Sequence, residues 1–209
     1  MEEPQSEESI SPGDFRVVHL NVAPWPDLLE RFFEQQTESD RADYFLGQAL
    51  MSEIRMVAVA RYFGLFRPKG PGLVGFMAAW FVGDEVELHN IYLTPTFRRK
   101  GLGTLFLQRF LHYACGEGAC KIYLEVRRSN AAARSLYEHL GFQVTGVRSD
   151  YYTEPREDAV LMVYDALRKV NEGQGEKANF PVPMEGALSG TPMSHYCQAK
   201  PQGGTHVQE

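Results

Sequence analysis

The chain reads as one α+β domain built on a single mixed, mostly antiparallel sheet of about seven strands flanked by helices. Three observations lead there. Residues 54–93 are β-rich and strongly apolar, cut by the turn clusters Pro68-Lys69-Gly70-Pro71-Gly72 and Gly83-Asp84 into an antiparallel meander. Downstream, two stretches with helical periodicity alternate with strand-like ones. A length of 209 residues, 44% of them hydrophobic, is enough for one core without covalent staples.

In chain order, residues 15–20 form a short strand. Residues 25–36 and 41–53 are helical, the first opening with Pro26 and Asp27 in its first turn. Strands at 54–66, 73–82 and 85–93 make the meander. Residues 101–114 place Leu102, Leu105, Phe106, Phe110 and Tyr113 at helical spacing. The next strand, 121–127, puts Ile122, Leu124 and Val126 on one face and Tyr123 and Glu125 on the other. Asn130 caps a helix whose stripe is Ala133, Leu136, Tyr137 and Leu140, and Gly141 ends it. Strands at 142–151 and 159–164 complete the sheet.

Charge is uneven. The net of −6 belongs to the ends: residues 1–14 hold Glu2, Glu3, Glu7, Glu8 and Asp14 with no base, whereas 15–170 is close to neutral. Residues 1–14 read as a disordered acidic leader, 15–170 as the folded domain and 171–209 as a flexible tail containing Gly and Pro. No basic stripe points to nucleic acid. The longest apolar run, 72–83, falls well short of the roughly 20 residues a membrane span needs. Three cysteines, Cys115, Cys120 and Cys197, make neither a disulfide framework nor a metal-ligand pattern, and no signal peptide is evident. A cytoplasmic protein without a metal is the expectation, as a monomer or a homodimer.

The strand at 85–93 and its exit carry the chemistry. Apolar residues sit at even positions in Val86 and Leu88 and at odd ones in Ile91 and Leu93, so the alternation slips near His89-Asn90. Such a slip is either a β-bulge or a strand buried on both faces. Directly after it, Arg98-Arg99-Lys100-Gly101-Leu102-Gly103-Thr104 joins strand to helix. Two glycines permit close backbone approach, and free amides at the helix start meet basic side chains there, which suits a pyrophosphate. The run lacks the GxxxxGK[ST] pattern of a Walker loop.

In these residues the chain resembles the GNAT superfamily of acyl-CoA N-acetyltransferases, whose pyrophosphate loop has the form Arg/Gln-x-x-Gly-x-Gly/Ala. It is closer still to the RimI-type ribosomal-protein-alanine N-terminal acetyltransferases. The supporting motifs are Asn90-Ile91-Tyr92-Leu93-Thr94-Pro95, Leu124-Glu125-Val126-Arg127-Arg128-Ser129-Asn130, Leu136-Tyr137-Glu138-His139-Leu140-Gly141-Phe142, and Tyr151-Tyr152 with Arg156-Glu157-Asp158-Ala159. The resemblance implies a sheet splayed after its fourth strand, with acetyl-CoA as co-substrate in the gap. It implies that the backbone of Ile91, Tyr92 and Leu93 pairs with the pantetheine arm. Arg98, Arg99, Lys100, Gly101, Leu102, Gly103 and Thr104 would hold the pyrophosphate, and Asn130 the pantetheine or acetyl end.

Acyl transfer to an amine needs a neutral nitrogen and a protonated thiol product. The resemblance makes Glu125 the general base and Tyr137 the acid that protonates the departing thiolate; a phenol near ~10 can serve a thiol near ~8.5. Periodicity alone would make Tyr137 a core aromatic, and Glu125 is otherwise a carboxylate on a half-exposed strand. Tyr151 and Tyr152 are expected to line the entrance for the acceptor, a peptide or protein N-terminus; strand-edge packing is the other reading. One departure concerns the acceptor side. Trp25-Pro26 and Thr37-Glu38-Ser39-Asp40-Arg41 do not form the Phe-Pro-x-x-Trp-like segment usual in RimI-type enzymes. A small-molecule amine, a lysine side chain, or a non-catalytic acyl-CoA-binding role are therefore the alternatives.

Overall fold

In a computed structural model the described residues are 11–20, 32, 59–68 and 72–171. The expected helices at 25–36 (Phe32 excepted) and 41–53, residues 1–10 of the leader and the tail beyond 171 lie outside them. The described elements run β1 (Arg16–His19), β2 (Ala60–Phe66), β3 (Leu73–Val82), β4 (Glu85–Leu93), α1 (Leu102–Gly116), β5 (Lys121–Arg127), α2 (Ala131–His139), β6 (Gln143–Thr153), β7 (Arg156–Asp165) and α3 (Ala166–Asn171). The seven strands form one sheet in the order β1-β2-β3-β4-β5-β7-β6. Every neighbouring pair is antiparallel except β4 and β5, which are parallel because α1 carries the chain across between them.

β3 reads Leu-Val-Gly-Phe-Met-Ala-Ala and is buried on both faces over those residues, which explains its near-continuous apolar run. On one face α1 and α2 cover the sheet. Phe106, Leu107 and Phe110 of α1 are fully buried there against Phe63, Met77, Ile122, Leu124 and Met162. The Phe63 and Phe110 rings meet edge-on at 5.4 Å. On the other face Phe32, Phe76 and Tyr92 cluster, with Phe32 edge-on to both partners at 6.5 and 6.0 Å.

α1 ends two residues later than its apolar stripe suggests. The amides of Gly118 and Ala119 return to the carbonyls of Cys115 and Ala114 at 3.0 and 2.9 Å, and Cys120 then donates to the Asp84 carbonyl at 2.7 Å. These bonds close the helix and set β5 beside the start of β4. Two further differences from the sequence pattern have local causes. β7 begins at Arg156 rather than 159, because its polar start pairs with Tyr152 and Thr153 of β6. α3 has no periodic signal to announce it: its N-terminus is capped by Asp165, whose Oδ1 accepts from the Arg168 amide at 2.9 Å. Among the described residues no helix is long and apolar enough to cross a membrane.

Phe110→Ala removes a ring with no exposed surface that touches Phe63 and Phe81. It is expected to lower unfolding free energy by about 3–5 kcal/mol in a denaturant titration; a loss under about 1 kcal/mol would mean the packing around it is loose.

Candidate active site

β4 and β5 are partners only at their starts, from Glu85↔Lys121 to Leu88↔Leu124. Beyond that point they part. On the β3 side of β4, Ala79 faces Leu88 but Ala78 faces Asn90, so His89 is an inserted residue and the slip in alternation is a bulge. Leu88 packs with α1 and α2, Ile91 and Leu93 pack on that same side, and Tyr92 is buried on the other. After the bulge β4 stays with β3: the Thr94 amide and hydroxyl both donate to the Val74 carbonyl at 2.9 Å. β5 stays with β7 as far as Arg127↔Ala159. The backbone of Ile91, Tyr92 and Leu93 therefore edges a fork facing Glu125, Val126 and Arg127.

At the β4 end of the fork a short 3-10 turn, Pro95–Phe97, leads into the basic run. Arg99 (φ 61°) and Gly101 (φ 75°) both adopt left-handed backbone, and Gly101 is the N-cap of α1. The first helical bond runs from the Leu105 amide to the Gly101 carbonyl at 3.1 Å, so the amides of Leu102, Gly103 and Thr104 precede any intrahelical acceptor. No acid lies in this first turn. Left-handed turns that align successive amides, at the positive end of a helix, cradle anions. A Cβ on Gly103 would stand 3.3 Å from Leu136 and 3.7 Å from Leu93, so the helix start is wedged between α2 and the end of β4.

Arg98 departs from the other basic residues. Its Nε donates to the Leu93 carbonyl at 2.8 Å and its guanidinium lies 5.4 Å from the Tyr92 ring. It clasps the loop to β4, though like Arg99 and Lys100 it is exposed.

Across the fork, Glu125 is partly buried beside charged and aromatic side chains. Its Oε1 is 2.7 Å from Arg148 Nη1, and the nearby Glu125 carboxylate raises the Tyr151 hydroxyl above the ordinary tyrosine range. The Arg148 guanidinium lies 4.9 Å over the Tyr151 ring, and that of Arg127 4.1 Å over Tyr152. The two tyrosines meet edge-on at 5.1 Å. Burial pushes the Tyr152 hydroxyl up to about 12, against the opposing pull of Arg127.

Tyr137 lies on the α1/α2 side, 6% exposed. Burial, with the Tyr152 phenol adding, holds its hydroxyl pKa far above the ordinary tyrosine range. Its place is set by how α2 ends. Gly141 takes φ 96°, its amide returns to the Glu138 carbonyl and that of Phe142 to Tyr137, both at 3.0 Å, while the Tyr137 and Phe142 rings pack at 5.6 Å. Asn130 caps the other end, its Oδ1 accepting from the Ala133 amide at 3.1 Å.

Several motif residues to which the sequence assigns no role lock β5 to β7. Glu157 accepts from the amide and hydroxyl of Ser129 and from Arg127; Arg128 pairs with Asp158 at 2.7 Å; Arg127 also donates to the carbonyls of Glu154 and Pro155. No periodicity reports contacts some 30 residues apart; paired opposite charges in the two motifs are the only trace.

A mixed sheet forked beside a basic, left-handed helix mouth is the architecture of acyltransferases that work across a sheet cleft. The profile described as the Acetyltransferase (GNAT) family matches residues 20–142, and the chain belongs to that family. It is 38% identical over 104 residues to the ribosomal protein bS18-alanine N-acetyltransferase of Escherichia coli K12, covering 49% of this chain and 70% of the relative. The crystal structure of the Escherichia coli ribosomal-protein-S18-alanine N-acetyltransferase matches with a TM-score of 0.56 and 28% identity, over 72% of this chain and 93% of that one. A Bacillus subtilis acetyltransferase solved in complex with CoA shares the fold, with a TM-score of 0.53 and 15% identity over 72% of this chain and 98% of its own.

The Ser129 amide first, then its hydroxyl and Arg127, holds the Glu157 carboxyl below the usual glutamate range. A depressed carboxyl contributes stability that is present above its unfolded pKa of about 4.3 and is lost as pH falls through the folded value. Glu157→Gln should therefore narrow its stability gap to the wild type as pH drops below about 4.3. Parallel stability–pH curves for the two proteins would refute this.

Proposed function

We propose that the protein moves an acetyl group from acetyl-CoA to the N-terminal α-amine of a protein, a ribosomal protein being the favoured acceptor, by direct transfer in a ternary complex. The observation that carries this reading is the fork: it joins a basic helix N-terminus with free amides to a carboxylate on one sheet face and a buried phenol on the other. Relatives named for acetylating the alanine of a ribosomal protein support the acceptor.

Acetyl-CoA supplies the activated acyl group as a thioester. The amides of Leu102, Gly103 and Thr104, with Arg99 and Lys100, would hold its pyrophosphate, and the edge of β4 at Ile91, Tyr92 and Leu93 its pantetheine arm. Asn130 spends its side-chain oxygen on the helix cap, so its NH₂ group remains as a donor toward that arm. A terminal α-amine, with a pKa of about 7.8, is roughly 10–15% neutral at pH 7, whereas a lysine is well below about 0.1%. Glu125 needs only to take the proton as the bond forms, directly or through one water. Tyr137 carries a phenolic proton for the departing thiolate, and the burial that raises the phenol disfavours thiolate charge in the same way.

Incubation with acetyl-CoA and peptides beginning Ala, Ser or Met, or carrying only a lysine amine, reads the acceptor by mass; label confined to free polyamines or lysine would end the α-amine reading. Glu125→Gln and Tyr137→Phe are each expected to lower kcat by about 10²–10⁴-fold with CoA affinity retained. Unchanged rates would remove those roles. Gly101→Val forces a β-branched residue into left-handed backbone and should abolish CoA binding in calorimetry; wild-type affinity would place the pyrophosphate elsewhere.

A further inference from the structure

We infer that Arg148 is a specificity-determining residue that donates a hydrogen bond to the first peptide carbonyl of the acceptor and so favours an α-amine over a lysine side chain; this rests on the proposed transfer to an N-terminus. The guanidinium is held in two directions. Nη1 stands 2.7 Å from Glu125 Oε1, and the group lies 4.9 Å over the Tyr151 ring. The side chain is nevertheless 55% exposed, so part of its fork faces solvent at the mouth of the site.

The support beneath it is built in. Arg148 faces Ala159 and Tyr152 faces Glu157, so Ser149, Asp150 and Tyr151 stand against Asp158 alone. This bulge turns on Asp150 at φ 54°. The Asp150 amide donates to Asp158 Oδ1 at 3.1 Å, and its carboxylate takes two bonds from Arg156, both 2.7 Å. The extra residues return Tyr151 to the side of the sheet that carries Arg148 and Glu125.

Arginine has five N–H donors in a rigid plane. With the acceptor nitrogen against Glu125, the nearest polar atom of a peptide N-terminus is the carbonyl oxygen of its own first residue, about 3 Å from that nitrogen. A guanidinium already touching the same carboxylate is within reach of it. A lysine amine offers only methylenes at that place, so the donor gains no substrate bond and an apolar stem is set against a hydrated cation. Sites built to hydrogen-bond a substrate group discriminate against acceptors that lack it.

The test compares kcat/KM on two peptides of one composition. One has a free N-terminal alanine and no lysine; the other is acetyl-blocked with a single lysine at its second position. Arg148 also orients Glu125, so its loss costs both acceptors, and the α-to-ε ratio cancels that shared part. Arg148→Ala is expected to lower the ratio tenfold or more, chiefly through KM for the α-amine peptide, with CoA affinity and Tm at wild-type values. Arg148→Lys, which keeps the charge and loses the planar fork, should fall between; it and Arg148→Gln carry the test if the alanine variant does not fold. A ratio within twofold of wild type in the folded variants overturns the inference alone. A wild-type protein that leaves every α-amine peptide unmodified overturns the proposed function and this inference with it.

Discussion

Everything at the site depends on one inserted residue. His89 has no partner position on β3, and the bend it imposes comes at the pair Leu88↔Leu124, the last rung that β4 shares with β5. Had the ladder continued, the amides and carbonyls of Ile91 to Leu93 that point away from β3 would be consumed by β5, and the sheet would be sealed between its two faces. Each arm of the fork keeps its outer neighbour instead, β4 with β3 and β5 with β7, so the opening costs ladder bonds only on the inner edges. Backbone polar groups left on such an edge must find another partner. In the proposed complex the amide-rich arm of the co-substrate meets that demand.

The fork also joins two faces that the sheet otherwise separates. Ile122, Leu124 and Val126 point into the core shared with α1 and α2, where Tyr137 lies, while Glu125 projects from the opposite face. In the proposed reaction the donor approaches from the helix side and the acceptor from the other. Acid and base then need no shared pocket; they need a hole in the sheet. Their surroundings suit the division. Tyr137 is sealed at the end of α2, and Glu125 is partly exposed beside Arg148, whose guanidinium in turn lies over the Tyr151 ring.

Much of this is legible in the order of the amino acids. The slip between Leu88 and Ile91 marks the bulge, the glycines after Arg99 mark the helix mouth, and Asn130 with Gly141 frames α2, because each is a local demand of backbone geometry on residue type. β6 resists such reading. Nearly every residue in it is exposed, including Val144 and Val147, so it has no buried face to impose alternation, and the register shifts at Thr145 and at Ser149 to Tyr151 leave no periodic trace. The pairing of Arg148 with Glu125 depends on that register and is hidden for the same reason. Arg98 carries a contact that its charge does not announce: its Nε donates to the Leu93 carbonyl and ties the basic run to β4.

The same reasoning explains why so many charged residues gather around one end of β5. Arg127, Arg128 and Ser129 are fastened to Glu157 and Asp158, and Asp150 to Arg156, along the edge where β6 contributes no buried core. Single exposed ion pairs contribute little, but a connected set with bidentate geometry fixes register where packing cannot. Hydrophobic pairing would not serve as well in the proposed reaction, in which this edge admits the acceptor. Directional polar bonds hold β6 in place without covering the site, and that is the condition under which Arg148 and Tyr151 can be rigid and exposed together.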